Sequence, residues 1–357
     1  MIKKSYNYFI NLAFEQAKIN LGSTGRNPSV GCVIEKNGSI ISSGFTSLNG
    51  SPHAEFNALN KKIKFKKANA YTSLEPCSHY GKTPPCTNII IKKKIKKVFF
   101  PINDFDKITA GKAKKILKKK GIKIYKPSIA KYALDFYKSY YLNKIHNLPI
   151  VDAKIAISSD YFTKSKDKKF ITNIHSIRRV HLLRSFYDCI LSTSKSINED
   201  NSILDCRIRG LQQKSPDVVI IDRNLILKKN LSIFNNTKRK IYLFTSTYNK
   251  KKEIFLKKKG VKLIRLKSLD KKEDFNKILK IINNLGYSRL FIEAGLKFLY
   301  YLSINKLLNN IFIFKSKNSL YKKGSNSINI NFIKKIKLKM RVKVNLFGDL
   351  LYKVKLK

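Results

Sequence analysis

The chain has 357 residues, 43% of them hydrophobic, and 75 Lys and Arg against 22 Asp and Glu give it a net charge of +53. That length and apolar content suit two cores rather than one. No segment reaches the roughly 18 uninterrupted apolar residues of a membrane span, the N-terminal "MIKKSYNYFINLAF" has no apolar run ending in a cleavage site, and the 5 cysteines are an odd number, so a cytoplasmic chain with reduced thiols and no membrane partner is expected.

In chain order, Phe9, Ile10, Ala13, Phe14 and Ala17 recur at helical spacing and predict an amphipathic helix near residues 5–20. "SVGCVIEKNGSIISSGF" places two β-prone runs around Asn37-Gly38, a strong hairpin signal. "SPHAEFNALNKKI" predicts a helix starting close to His53, with Pro52 in its first turn and Phe56, Leu59 and Ile63 on one face. A strand at "ANAYTSL", a helix opening at the prolines of "PPCTNIIIKKK", a strand at "KVFFPI", a helix at "AGKAKKILKKKGIKIY" and a closing strand complete the order α-β-β-α-β-α-β-α-β.

After "HNLPIV" the alternation restarts, with strands at "IVDAKIAIS", "DCILSTS", "DVVIID", "KIYLFTS", "VKLIRL" and "RLFIEAG" separated by helical segments. The boundary falls at Asn147 to Pro149, giving domains of residues 1–147 and 148–357, both α/β. The second suggests a largely parallel, nucleotide-binding sheet, although no G-x-G-x-x-G follows any strand.

The lysines recur throughout, in "KKIKFKK", "IKKKIKK", "KAKKILKKK" and "NKKKEIFLKKKG", alongside heavy use of Ile and Asn, as in an A/T-biased genome. A specific nucleic-acid partner is therefore not expected, whereas weak, salt-sensitive polyanion binding follows from the charge.

"PHAE" sets His53 two residues before Glu55, and "LEPCSHYGKTPPC" adds Cys77 and Cys86. One imidazole and two thiols make a three-ligand zinc set that leaves the fourth position open for catalysis, and zinc in such a site acidifies a bound water. Glu55 is then free to shuttle a proton. Cys86 follows two prolines at a helix start, where free N–H groups favour a thiolate. The set matches the zinc-deaminase pattern H-x-E…P-C-x-x-C, except that the cysteines are spaced C-x8-C. Cys32, Cys189 and Cys206 read as buried and inert.

"NPSVGCVI", "PHAEFNAL" and "LEPCSHYGKTPPC" resemble the deaminase half of the bifunctional pyrimidine deaminase/reductases of riboflavin biosynthesis. "AKIAISSD", "FITNIHSIRRVHLLRS", "ILSTSKSINED", "DVVIID" and "IEAG" resemble their reductase half. The resemblance implies a cytidine-deaminase-like three-layer α/β/α domain followed by a dihydrofolate-reductase-like α/β domain. It implies zinc-dependent deamination of a small diaminopyrimidine ribosyl phosphate, then NADPH-dependent reduction of its ribosyl chain to ribityl, in a homo-oligomer. It carries over His53, Cys77 and Cys86 as zinc ligands, Glu55 as proton donor, and Asn27 and Lys82 as substrate contacts. His79 either helps to position substrate or faces solvent. In the second half it places Ala156, Phe170, Ser196, Asp200 and Gly295 at the cofactor. Lys154, Arg184, Leu204, Arg207 and Glu293 fall around the substrate, with the two arginines suited to clamp phosphate.

The chain departs from the family at Tyr161, where glycine is usual, at Asn201-Ser202 within an expected "DDP", at Leu296 where proline is usual, and near residue 104, where the usual prolines are absent. These changes leave open a deaminase with a degenerate reductase domain. A nucleic-acid-editing deaminase is opposed by the C-x8-C spacing, and a closed structural zinc site is opposed by Glu55.

Overall fold

The computed structural model describes residues 2–81, 83–235 and 238–356. It divides into two compact units, Met1–Leu148 and Pro149–Lys357.

The first unit runs α1 (Ile2–Lys18), β1 (Gly31–Lys36), β2 (Ser39–Phe45), α2 (Ala54–Leu59), β3 (Asn69–Thr72), α3 (Cys86–Lys92), β4 (Lys97–Phe99), α4 (Lys112–Lys119), β5 (Lys123–Tyr125), α5 (Ala130–Phe136) and α6 (Lys138–Tyr141). Through β5 this is the order expected from sequence. The strands form one sheet in the order β2-β1-β3-β4-β5, antiparallel on either side of β1 and parallel from β3 to β5. Asn37 and Gly38 take φ of 53° and 84°, the left-handed pair that a tight hairpin between β1 and β2 requires.

Two glycines bring helices unusually close to this sheet. A Cβ on Gly31 would lie 1.9 Å from the Ala13 carbonyl oxygen of α1, and one on Gly44 would lie 2.5 Å from that of Ala54 in α2. Gly44 pairs with Cys32, the neighbour of Gly31, so the two glycines point to opposite faces and the helices sandwich the sheet. All five apolar residues expected inside α1 are buried.

Expectation fails in α2. The helix stops at Leu59 and buries Ala54, Glu55, Ala58 and Leu59, while Phe56 and Ile63 are 39% and 41% exposed. Small residues face the sheet because the Gly44 contact leaves no room for larger ones. Pro52 precedes the helix and its cap, His53, rather than occupying the first turn.

The second unit comprises β6 (Ile150–Ile157), β7 (Lys164–Ser165), α7 (Ile174–Arg184), β8 (Cys189–Thr193), α8 (Ser194–Asp200), β9 (Asp217–Ile221), β10 (Ile241–Thr245), α9 (Lys250–Lys258), β11 (Val261–Arg265), α10 (Lys272–Asn284), β12 (Arg289–Ile292), α11 (Leu296–Ile304), β13 (Asn310–Lys315), β14 (Gly324–Ser325), α12 (Asn331–Lys334) and β15 (Leu350–Lys355). Its main sheet has the order β11-β10-β9-β8-β12-β6-β13-β15. All neighbours are parallel except the β13–β15 edge pair. The six expected strands are present. β13 and β15 were not expected, and among the described residues a 3-10 turn at Ser232–Asn235 replaces a helix between β9 and β10.

The turn after β6 accounts for one departure from the family. Tyr161 has φ of 70°, its N–H donates to the Ser158 carbonyl at 3.1 Å, and the Lys315 Nζ lies 4.4 Å from its ring centroid. The left-handed backbone costs a non-glycine residue about 1–2 kcal/mol, and the exposed cation–π contact returns about 0.5–1 kcal/mol. Tyr161→Gly is therefore expected to leave thermal stability unchanged or raise it by up to about 4 °C, with the reduction rate unchanged or higher. A clear fall in either quantity would show that the tyrosine itself is needed.

Candidate active site

Three elements deliver the metal-ligand set of the first unit. His53 caps α2, whose approach to the sheet is fixed by Gly44 and by Asn57 Nδ2, which donates to the Phe45 carbonyl at 2.8 Å and to Ser47 Oγ at 2.9 Å. Cys77 lies in the loop beyond the C-terminal end of β3, and Cys86 opens α3. The His53 Nδ1 is 3.4 Å from each sulfur, and the three ligand atoms all lie within 4.8 Å of one another. A tetrahedral zinc with bonds of about 2.3 Å to sulfur and 2.0 Å to nitrogen has ligand–ligand edges of roughly 3.5 Å. The residues fit that ion.

Electrostatics in the cluster are ordered. A hydrogen bond from the Cys86 thiol, then those from His53 and the Cys86 N–H, outweigh burial and bring the Cys77 thiol down to about 4. Cys86 moves the other way, raised by Cys77 and by burial. The Cys77 sulfur also accepts the Cys86 N–H at 3.2 Å. His53 is raised by its bond to Cys77. Glu55 is 3% exposed, and burial first, then the Cys77 charge, pushes its carboxyl up to about 7. A buried carboxyl that titrates near neutrality, beside an open three-ligand metal site, can both take and return a proton. Cys32, Cys189 and Cys206 are buried, with thiol pKa values raised chiefly by burial.

Asn27 Nδ2 donates to the Gly50 carbonyl at 3.1 Å, in the turn that leads to His53. Lys82 lies outside the described residues. His79 is half-buried, its Nδ1 2.9 Å from Thr109 Oγ1.

Glu75 was missed from sequence. Buried immediately before the Pro-Cys pair, its Oε2 accepts the Asp104 and Gly111 N–H groups at 3.1 and 2.9 Å, and its Oε1 that of Ala113 at 3.1 Å. It ties the zinc loop to the loop that carries Thr109. An acid beside "PC" was the signal, but its partners are backbone groups some thirty residues away.

In the second unit, Glu293 follows β12 and lies between Arg184 and Lys154. Arg184 Nε is 2.6 Å from Oε1 and its Nη2 3.1 Å from Oε2, while Lys154 Nζ is 3.4 Å from Oε2. Burial alone would raise the Glu293 carboxyl, but the Arg184 charge, then that of Lys154, bring it down to about 2. Arg184 Nη1 also donates to the Asp205 carbonyl at 2.8 Å. Arg184 is thus a buried, fully engaged partner of Glu293 rather than a free phosphate clamp. The Arg207 side chain is 61% exposed, with its Nε 3.3 Å from Asp205 Oδ1 and its Nη2 3.1 Å from His181 Nε2.

Gly295 N–H donates to Ser196 Oγ at 3.1 Å, joining the turns beyond β12 and β8, neighbouring parallel strands. With β6 on the other side of β12, these are the carboxyl ends of adjacent parallel strands, the edge of the sheet at which open α/β folds bind ligands. Leu204 has φ of 59°. It is held by Arg239, also missed from sequence, whose Nη1 donates to the Leu204 carbonyl at 2.9 Å and Nη2 to that of Ile203 at 2.6 Å. Ala156 packs on the core of this unit. Phe170 and Asp200 are exposed and, among the described residues, no hydrogen bond joins either to the network.

The chain matches the family model for the cytidine and deoxycytidylate deaminase zinc-binding region over residues 3–102, and that for the RibD C-terminal domain over residues 149–316. It is 31% identical over 292 residues to the riboflavin biosynthesis protein RibD of Bacillus amyloliquefaciens, covering 81% of this chain and 78% of that one. It is 31% identical over 298 residues to RibD of Aquifex aeolicus, covering 83% and 82%. A solved structure of Acinetobacter baumannii RibD superposes with a TM-score of 0.83 at 25% identity over 99% of both chains.

Proposed function

The chain belongs to the RibD family of riboflavin biosynthesis, whose members join a deaminase to a reductase, and from that membership and the site geometry we propose how its residues divide the work. Residues 1–147 deaminate the diaminopyrimidine ribosyl phosphate, and residues 148–357 reduce the ribosyl chain of the product with NADPH. The observation that carries the first assignment is the His53–Cys77–Cys86 cluster with the buried Glu55 beside it.

Zinc held by His53, Cys77 and Cys86 would supply a Lewis acid that acidifies water at the open position. Glu55, poised near neutrality, takes one proton of the attacking water and delivers it to the ring nitrogen, then takes the remaining hydroxyl proton and delivers it to the departing amine, so that water and the 2-amino group become a carbonyl and ammonia. Asn27 and Lys82 contact the substrate.

In the second unit NADPH would supply the hydride. Ser196 and Gly295, already hydrogen-bonded to each other, hold the cofactor together with Ala156, Phe170 and Asp200. Lys154, Leu204, Arg207 and Glu293 surround the substrate, with Arg207 meeting its phosphate and Arg184 holding Glu293 ionised and in place. The departures from the family pattern are accommodated: Asn201 ends α8 at φ of 46°, a conformation asparagine tolerates, and Leu296 is a buried first residue of α11. That supports an active reductase. Among the described residues no helix is long and apolar enough to cross a membrane, which agrees with a cytoplasmic enzyme. A homo-oligomer is part of the same proposal, on family grounds alone.

Cys77→Ser and Cys86→Ser are each expected to lose zinc and deamination together, because oxygen replaces a thiolate ligand. Metal analysis and ammonia release on the same samples check this. Full zinc in either variant would remove that cysteine from the ligand set.

A further inference from the structure

We propose that the end of the first unit opposite the zinc cluster is a docking surface for single-stranded RNA, bound through its phosphates and one base stack without reading sequence.

Residues 61–67 and 92–97 contain five lysines each and residues 118–123 four, with no acid in any of the three segments. They meet in space because Asn69, Lys97 and Lys123, at the N-terminal ends of β3, β4 and β5, are lateral partners. The turns are laced together by the Lys67 N–H donating to the Lys94 carbonyl at 3.0 Å and that of Lys123 to Lys96 at 3.2 Å. Most of these lysines are exposed. The nearby Glu35, 6% exposed and bonded to Asn69 Nδ2 and the Gly38 N–H, each at 2.7 Å, is a single acid beside the fourteen lysines of the three segments. Neighbouring strands lie about 4.8 Å apart, so the cations form a rim several strands wide. Cys77 lies beyond the other end of β3, which leaves the catalytic cluster accessible.

A second feature selects the polyanion. Tyr71, Phe99 and Tyr125 stack in a column across β3, β4 and β5, with centroid spacings of 4.4 and 4.9 Å and tilts of 9° and 15°. Tyr125 ends that column on the edge strand, two residues along β5 from Lys123 and opposite Phe99. It is 36% exposed and has the Lys97 Nζ 5.8 Å from its ring centroid, so the ring borders the rim from the side of the sheet. A basic rim next to an exposed aromatic ring is what single-stranded nucleic acid uses: phosphates on the lysines and a base against the ring. A lipid surface fits less well, because Ile63 is the only large apolar side chain exposed in the three segments.

The test is anisotropy of a labelled oligouridylate of about twelve nucleotides, titrated with the full chain from low to physiological salt. Lys96→Glu, Lys119→Glu, Lys120→Glu and Lys123→Glu together are expected to weaken binding at least tenfold and to reduce the slope of log affinity against log salt by about 3. The same number of reversals in the second unit, at Lys250, Lys251, Lys257 and Lys258, is expected to cost less than about threefold. Tyr125→Ala is expected to weaken oligouridylate on the order of tenfold and leave inorganic polyphosphate unaffected, whereas Tyr125→Phe keeps both. Unchanged ammonia release shows that the first-unit variants are folded, and unchanged NADPH-dependent reduction of the deaminated product shows it for the second-unit reversals. Equal losses from the two sets of reversals would mean that the charge acts diffusely and overturn the proposal. So would wild-type oligouridylate binding by Tyr125→Ala, or a rim variant that loses binding to anionic lipid vesicles but not to RNA.

Discussion

Glu55→Gln is expected to retain one zinc per chain while ammonia release falls by roughly two to four orders of magnitude, the range for losing a general acid–base group. Glutamine preserves the size of the side chain in a site where Glu55 is 3% exposed, so packing against the sheet is maintained. The metal is held by His53, Cys77 and Cys86, and removing a carboxylate that is not among them leaves the donor set intact. What disappears is a group able to change protonation near neutrality, where burial and the Cys77 charge have placed it. Metal content and ammonia release measured side by side separate the two roles. Near-normal turnover would assign the proton transfer elsewhere, and zinc loss would make Glu55 part of the metal site.

The second large effect is expected at Glu293. Replacing it by Gln leaves the buried Arg184 guanidinium without its anion, a change worth about 3–5 kcal/mol, against a typical total stability of only about 5–15 kcal/mol. Reduction should be lost while zinc binding and ammonia release persist, because the first unit has its own core. The effect should also depend on pH. Glu293 is depressed from 4.5 to about 2 by Arg184 and Lys154 against the pull of burial, so its stabilising contribution is complete above the unfolded value and is lost as pH falls through the folded one. The gap in stability between the native chain and Glu293→Gln should therefore be constant above pH 4.5 and narrow toward about 2. Denaturant unfolding across that range measures it. A gap that does not change with pH would mean that the ion pair is not what the substitution removes.

Local patterns told most about the first unit. The helical spacing of Phe9 to Ala17 and the Asn37-Gly38 turn are short-range signals, and they held. The His53–Cys77–Cys86 cluster was legible because three donors of two types occur in order with a carboxylate between them, each at an element start or loop that the sequence also marks. Glu75 and Arg239 were not legible, because their partners are backbone groups brought near only by the fold. The face of α2 was misread for a related reason: apolar spacing favoured Phe56 and Ile63, whereas the close approach at Gly44 admits only small side chains. β13 escaped notice because "NIFIFK" is apolar without alternation, as a strand buried on both faces is. β15 is an edge strand with lysines along it. The burial of Arg184 was not legible, since an arginine in a sequence does not announce the glutamate it will meet more than a hundred residues later.

The central claim, two consecutive reactions in one chain, is tested most directly by giving the purified zinc-loaded protein the diaminopyrimidine ribosyl phosphate, first without and then with NADPH. Ammonia should be released in both cases, and NADPH should then be consumed in an amount equal to the ammonia formed, with none consumed in the absence of the pyrimidine. Ammonia release with no NADPH oxidation by the folded chain would contradict the account and leave a deaminase joined to an inactive domain.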